Sequence, residues 1–164
     1  MADIERPFFH NEKGAILTAR EYFESASAAQ RHIDALYRKI GAMRAREGTR
    51  SHGFEAVAGG GDPDPMRATD ARMEAEEEAR GEIAECDALI ADAREVCRGI
   101  RRANVRHPLW GDCIELHFIE LMPWKQVGNA FGITESGARH NAYEGLDWVD
   151  MVGLAAAREG MGGA

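Results

Sequence analysis

The chain has 164 residues, of which 45% are apolar, and a formal charge of −8 at pH 7. This length suits one domain, with or without an extension, and the apolar fraction suffices for a core, which excludes an intrinsically disordered chain. Nonspecific nucleic-acid affinity comes from neutralising phosphates with Lys and Arg, so the acidic balance excludes a protein that coats polyanions. Any contact with DNA must therefore be local.

Cysteine usage and hydropathy predict the compartment. The three cysteines form no CxxC pair, and an odd number in so short a chain does not suggest a disulfide framework. No apolar run approaches the roughly 18 residues of a membrane span, and residues 1–13 lack the apolar block of a signal peptide. We expect a cytoplasmic protein in reducing surroundings, with no membrane partner.

The first predicted element is a long helix from Ile16 to Met43. Apolar or small residues recur there every three or four positions, which is typical of a helix with one buried stripe. The stripe contains Ile16, Ala19, Phe23, Ala26, Ala29, Ile33, Leu36, Ile40 and Met43. Glycines interrupt the pattern afterwards and predict a loop over residues 48–65, since glycine raises the entropic cost of ordering the backbone.

A second long helix is predicted after Pro65, with Thr69 or Asp70 as its N-cap. Its narrow stripe contains Ile83, Cys86, Ile90, Ala93, Cys97, Ile100 and Asn104. A long helix with so narrow a seam needs a partner seam, and the first helix supplies one. We therefore predict an antiparallel helical hairpin over residues 14–107, ended by His107 and Pro108.

Charge blocks favour the same antiparallel orientation. Residues 31–50 carry six basic and two acidic side chains, a net charge of +4, whereas residues 67–93 carry three basic and nine acidic ones, a net charge of −6. Folding back at the glycine-rich loop brings these blocks side by side. The same fold would bring the arginines late in the second helix near the acidic residues of the first, namely Glu12, Glu21 and Glu24.

Residues 108–152 predict a helix-turn-helix unit. A segment at about 110–119 precedes two amphipathic helices, Pro123–Phe131 and Thr134–Val149, which meet at a turn formed by Gly132 and Ile133. Proline suits a first helical turn, and a threonine hydroxyl can cap a helix by accepting an unpaired backbone N–H. The residues expected to face inward on the last helix are Ala138, Ala142, Leu146 and Val149.

The exposed side of the last helix is the candidate DNA-reading surface. In a helix-turn-helix the first turns of the second helix enter the major groove, where arginine can grip a guanine edge with two hydrogen bonds. Lys125 would hold the DNA backbone. The candidate residues in this unit are Lys125, Thr134, Glu135, Ser136, Arg139, His140 and Tyr143.

Two interpretations stay open for the arginines before Pro108, which are Arg98, Arg101, Arg102 and Arg106. They form either a solvated face paired with the first helix or a phosphate-binding patch. The second interpretation matters because residues 108–152 contain two basic and seven acidic side chains, a net charge of −5. A homodimer would also compensate for this negative charge, because it would double the number of contacts with DNA.

The run from Trp124 to Thr134, WKQVGNAFGIT, followed by Arg139 and Leu146, resembles region 4 of bacterial sigma factors. Further motifs resemble small phage and prophage proteins that join a helical hairpin to such a unit, among them ArpU-like late transcription regulators. These motifs are TAREYF (18–23), DPDP (62–65) and ELHFIELMPW (115–124). The resemblance implies a DNA-binding transcriptional regulator of phage or prophage type, with promoter-like DNA as its partner.

Other functions remain as alternatives. The acidic balance of residues 108–152 also suits a protein-interaction module that docks on RNA polymerase or another partner while the hairpin drives oligomerisation. A DNA-packaging protein similar to a terminase small subunit shares the same ingredients. No paired carboxylates, Ser/His arrangement or phosphate-binding glycine loop is present, so we expect neither an enzyme nor a cofactor or metal site. Residues 153–164 are expected to form a flexible tail with at most a short helical extension.

Overall fold

The computed structural model describes residues 17–50 and 65–161, and every regular element within these ranges is helical. This confirms the predicted all-α class. The elements are α1 (Ala19–Arg50), α2 (Pro65–Ala103), α3 (Leu109–Ile114), a π-helical turn (Glu115–Ile119), α4 (Trp124–Phe131), α5 (Glu135–Val152) and α6 (Leu154–Glu159). None of the helices in these ranges is both long and apolar enough to cross a membrane.

The ends of the long helices differ from the predicted ones. Helix α1 continues through Arg50, beyond the predicted start of the loop, and the rest of that loop up to residue 64 lies outside the described residues. Helix α2 begins at Pro65 rather than after a cap at Thr69 or Asp70, because a proline in the first turn has no N–H that needs a partner. Helix α2 ends at Ala103, since the ring of a proline at position 108 would clash with the carbonyl four residues earlier.

The described residues fall into two compact units. The large unit contains residues 17–30 and 87–161, and the small unit contains residues 31–50 and 65–86. The predicted division at residue 108 therefore does not coincide with the division into compact units. Instead, the segment from α3 to α5 clusters with one end of each long helix.

Contacts inside the large unit explain why α3 to α5 belong to it. The Ser27 hydroxyl donates to the backbone carbonyl of Phe118 at 2.5 Å, and the backbone N–H of Ala19 donates to the Asp150 carboxylate at 2.6 Å. Tyr22 and Phe23 are adjacent and both buried, so α1 is covered on more than one side here. A single helical stripe in the sequence does not predict such double coverage.

The predicted stripes form much of the observed core. The stripe residues that are buried are Ala19, Phe23, Ala26, Ala29, Ile33, Leu36, Ile83, Ile90, Ala93, Cys97 and Ile100. Ile40, Met43 and Cys86 are half-buried, and Ile16 lies outside the described residues. Burial raises the pKa of the Cys97 thiol, so this cysteine behaves as a small apolar side chain.

In the small unit, α1 and α2 run antiparallel. Three ion pairs cross their seam, and the partner in α2 moves backward as the chain advances along α1. The pairs are His32 with Glu82 at 2.6 Å, Arg44 with Glu76 at 2.9 Å and Glu47 with Arg72 at 3.1 Å. The hydrogen bonds from Arg44 hold the pKa of the Glu76 carboxyl below its usual value. Some of the opposite charges of residues 31–50 and 67–93 thus pair with one another along this seam.

A buried carboxylate ties α6 to both long helices inside the large unit. The Tyr22 hydroxyl donates to the Asp92 carboxylate at 2.5 Å, and the Arg158 guanidinium donates two hydrogen bonds to it at 2.9 and 2.8 Å. Gly99 lets the chain approach closely, because a Cβ there would lie 1.7 Å from the carbonyl oxygen of Ala157. Residues 154–159 thus form a short helical extension held by packing, while residues 162–164 lie outside the described ranges.

We predict that Arg158→Ala lowers the free energy of unfolding by about 2–3 kcal/mol, because it leaves the buried Asp92 carboxylate without its cation. Urea denaturation followed by circular dichroism measures the change. The matched control is Arg98→Ala, which removes an exposed ion pair with Glu95 and should cost about 0.5 kcal/mol or less. Equal losses in the two variants would contradict the role of Arg158.

Candidate nucleic-acid interface

Helices α4 and α5 meet at a turn whose residues each have a local physical role. Pro123 precedes α4 with an extended ψ of 146°, and Gly132 ends the helix in the left-handed region at a φ of 66°. Thr134 then caps α5, since its hydroxyl accepts a hydrogen bond from the backbone N–H of Gly137 at 3.0 Å. The predicted turn and cap are both present, and they fix the start of α5.

Gly128 allows the turn to fold tightly against α4. A Cβ at this position would lie 2.8 Å from the backbone oxygen of Ile133 and 3.1 Å from that of Thr134. The structure shows that the approaching group is the backbone of the turn itself.

The inward side of α5 is buried as predicted. Ala138, Ala142, Leu146 and Val149 are all buried. Gly145 lies against α3, because a Cβ there would be 2.9 Å from Cδ1 of Ile114 and 3.0 Å from Cβ of Trp110. This packing fixes the rotation of α5 about its axis and thereby determines which of its residues face outward.

The outward side of the first two turns of α5 carries four exposed candidates, together with exposed Thr134 just before them. These four are Glu135, Ser136, Arg139 and His140. Tyr143 is only half-buried, and its ring contacts Trp124 with the ring centroids 6.1 Å apart, while the Arg20 guanidinium lies 5.7 Å from its centroid. Much of the Tyr143 ring thus packs against other side chains of the protein. Lys125 is exposed in the first turn of α4.

Arg139 is paired within its own helix. Its guanidinium contacts the Glu135 carboxylate four residues earlier at 2.9 Å, and the two side chains are 46% and 51% exposed. An exposed pair of this kind contributes only about 0.3–0.5 kcal/mol, because water screens it well. Arg139 therefore remains available to a ligand at little cost. His140 faces Glu144 at a longer distance of 3.9 Å.

Among the residues that the structure describes, the arginines late in α2 form no ion pair with the first helix. Arg94 contacts Glu115 and Glu120, and Arg101 contacts Glu115 and Asp112, the last at 2.5 Å. The expected partners in α1 are engaged elsewhere: Glu21 accepts from Thr18 and Glu24 pairs with Arg20, while Glu12 lies outside the described residues. The carboxylates of α3 and the π-helical turn take their place, a contact that sequence spacing does not reveal.

The other candidate arginines differ in the contacts that they make within the protein. Arg98 pairs with Glu95 on the protein surface, and Arg102 donates to the backbone oxygen of Arg158 at 2.8 Å. Arg106 is exposed and makes no ion pair with any residue in the described ranges. The structure therefore does not join these residues and Arg139 into one continuous positive patch of unpaired arginines.

His117 is a feature of this region that the sequence analysis missed. Its ring stacks on Trp124 with the centroids 3.6 Å apart, and its Nδ1 lies 2.7 Å from the backbone oxygen of Met122. Burial and the nearby Arg139 charge outweigh this hydrogen bond and lower the pKa of His117. Leu121 adopts a left-handed φ of 58°, which lets the chain reverse between the π-helical turn and Pro123. No local pattern in the sequence marks this arrangement.

No protein-family model matches the chain, and neither a search of curated proteins nor a search of solved structures found a match. The resemblance to sigma-factor region 4 therefore stays an interpretation of the motifs between Trp124 and Leu146.

We predict that Gly128→Ala lowers the free energy of unfolding by about 1–3 kcal/mol, because backbone atoms of the turn occupy the space that a Cβ needs. The matched control is Gly41→Ala inside α1, where a Cβ would meet nothing within 4 Å. That variant should gain about 0.5–1 kcal/mol from the higher helix propensity of alanine. Thermal denaturation of both variants tests the contrast, and a stabilised Gly128→Ala protein would refute the tight turn.

Proposed function

We propose that this chain is a DNA-binding transcriptional regulator that reads DNA with the exposed side of the first two turns of α5. The observation that carries the proposal is the pairing of a buried inward side, Ala138 to Val149, with an exposed outward side, Glu135 to His140, on a helix that starts at a rigid capped turn. A recognition helix needs this combination, because base contacts require both exposure and a fixed orientation.

The chemistry of the exposed side suggests a role for each residue. Arg139 would donate two hydrogen bonds to a guanine edge in the major groove. Ser136 and His140 would reach base edges or phosphates, and Lys125 would contact the phosphate backbone. Glu135 would accept from a cytosine amino group once Arg139 turns toward the DNA.

The free energies of the two contacts favour the transfer of the Arg139 side chain from Glu135 to DNA. Breaking the exposed pair costs about 0.3–0.5 kcal/mol. A good bidentate contact with guanine contributes about 1–3 kcal/mol of discrimination. Arg101, by contrast, is half-buried between two carboxylates and is not counted among the DNA contacts. With Lys125 as the cation on a phosphate, the logarithm of the binding constant should fall with the logarithm of the salt concentration with a slope of about −1 per bound chain.

The proposal is tested by selecting binding sites from random-sequence DNA with the full chain and then measuring fluorescence anisotropy. Arg139→Ala should weaken binding to the selected site by about 5- to 150-fold and relax the preference for guanine. Glu135→Gln should tighten binding by about threefold, because it frees Arg139 and removes a negative charge near the phosphates, while its carbonyl oxygen can still accept from the cytosine amino group.

Glu77→Gln is the matched control, because Glu77 is also exposed and also pairs with an arginine of its own helix, Arg80. It should leave DNA affinity unchanged. Failure of the selection to enrich any sequence, together with unchanged binding in Arg139→Ala, would refute the proposal.

A second candidate function is docking on a protein partner that can bind an acidic surface, such as RNA polymerase. It is favoured by the net charge of −5 over residues 108–152, and by the ion pairs of Arg101 and Arg139 with acidic residues of the same segment. Under this function the complex would survive nuclease treatment. Its affinity would respond to Val105→Ser and Met151→Ser, whose parent side chains are 78% and 74% exposed, and not to Arg139→Ala.

A further inference from the structure

Arg20 of α1 lies beside the outward side of α5. Its guanidinium carbon is 5.7 Å from the centroid of the Tyr143 ring, and both residues belong to the large unit. The backbone N–H of Ala19 donates to the Asp150 carboxylate, so the start of α1 is attached to the second half of α5. This attachment brings an arginine that is distant in the sequence to the edge of the candidate DNA-reading surface.

Tyr143 continues the outward side of α5. It follows Arg139 by four positions and Ser136 by seven, and residues with these spacings share one side of a helix. Arg20 therefore lies about one helical turn beyond Arg139 along α5. The major groove is about 12 Å wide, and the part of a recognition helix beyond its base-reading turns meets the DNA backbone at the edge of the groove.

Helix α5 supplies no cation of its own beyond this point. The charged residues that follow His140 in α5 are all acidic, namely Glu144, Asp147 and Asp150. Glu144 faces His140, and Asp150 accepts from Ala19, whereas Asp147 is exposed. These carboxylates would repel a phosphate next to Tyr143 unless another helix supplied positive charge. Arg20 is a cation of α1 at this position.

The Arg20 guanidinium keeps hydrogen-bond donors for a ligand. Its Nε–H donates to the Glu24 carboxylate at 2.9 Å, while its two terminal amino groups make no hydrogen bond with a residue in the ranges 17–50 and 65–161. The edge formed by these amino groups can donate to two phosphate oxygens at once. Arg20 can thus bind a phosphate while Glu24 stays in contact, and that exposed pair is weak in any case.

Local contacts hold Arg20 in this orientation. Glu24 contacts the Nε–H, and the face of an aromatic ring such as that of Tyr143 attracts a guanidinium. Thr18 and Glu21 form a capping box, in which each side chain accepts from the backbone N–H of the other residue, at 3.2 and 2.9 Å. The Arg20 side chain nevertheless remains 61% exposed. It is both oriented and accessible, as a ligand contact requires.

We propose that Arg20 is a further DNA-binding residue, which contacts a phosphate at the edge of the major groove beyond the bases that Arg139 reads. This inference rests on the proposed function and adds a second cation to Lys125. Lys125 directly follows Trp124, whose ring contacts Tyr143, so both cations belong to the surroundings of this aromatic pair. Glu24 is a positioning residue for Arg20.

Fluorescence anisotropy of the full chain tests the proposal, with the selected duplex and an unrelated duplex at about 50–200 mM salt. With Arg20 and Lys125 both on phosphates, the salt slope should be about −2 per bound chain, instead of the −1 that Lys125 alone gives. Arg20→Ala should return the slope to about −1. It should also weaken binding by about tenfold at low salt on both duplexes alike, because a phosphate contact carries no sequence information. Arg20→Lys keeps the charge and should keep the slope.

Arg80→Ala is the matched control, because Arg80 is 65% exposed and also pairs with a glutamate four positions away in its own helix, Glu76. It should leave affinity and slope unchanged. Circular dichroism checks that the variants are folded, and Arg20→Gln replaces Arg20→Ala if the latter is not.

Two results overturn the inference. One is an Arg20→Ala protein with wild-type affinity and slope, and the other is a loss of affinity at an unchanged slope, since Arg20 would then act through its packing on Tyr143. If Arg139→Ala still loses the preference for guanine in either case, the proposed function stands without Arg20. A wild-type chain that binds neither duplex overturns both proposals.

Discussion

The buried carboxylate of Asp92 is the constraint on which the large unit depends. A buried charge is tolerated only with partners, and here the Tyr22 hydroxyl and the Arg158 guanidinium supply them from α1 and α6. One residue of α2 thereby fixes the register of α1 and the position of the C-terminal helix. Burial and the hydrogen bond to Asp92 also raise the pKa of Tyr22, so its hydroxyl stays a donor.

Burial separates the charged groups of this chain into structural and available ones. Arg101 and Arg158 are partly buried against carboxylates, so their removal would leave unpaired charge inside the protein. Arg139 also contacts a carboxylate, at 2.9 Å, but the pair is exposed to water and contributes little to stability. The distinction matters for function, because only a cation that can leave its partner cheaply can bind a phosphate or a base.

The parts of the structure that the sequence predicts are those determined locally. The Thr134 cap, the Gly132 turn and the buried side of α5 each follow from residue type and helical spacing, and all three are present. The contacts of Arg101 with Asp112 and Glu115 depend on how α3 packs against α2, which no local pattern encodes. The packing of helix α6 could not be predicted for the same reason, because it depends on Asp92, which lies 66 residues before Arg158.

A single α5 face, with Lys125 on a phosphate and Arg139 on a base, would bind DNA weakly, since each phosphate contact contributes only a modest electrostatic term. Two copies of the chain bound side by side on DNA would present two such faces at a high effective concentration, which raises the overall affinity without any new kind of contact. The number of neutralised phosphates would double at the same time. The salt dependence of DNA binding would then be about twice the slope that one bound chain implies, whereas binding by a monomer would keep that slope.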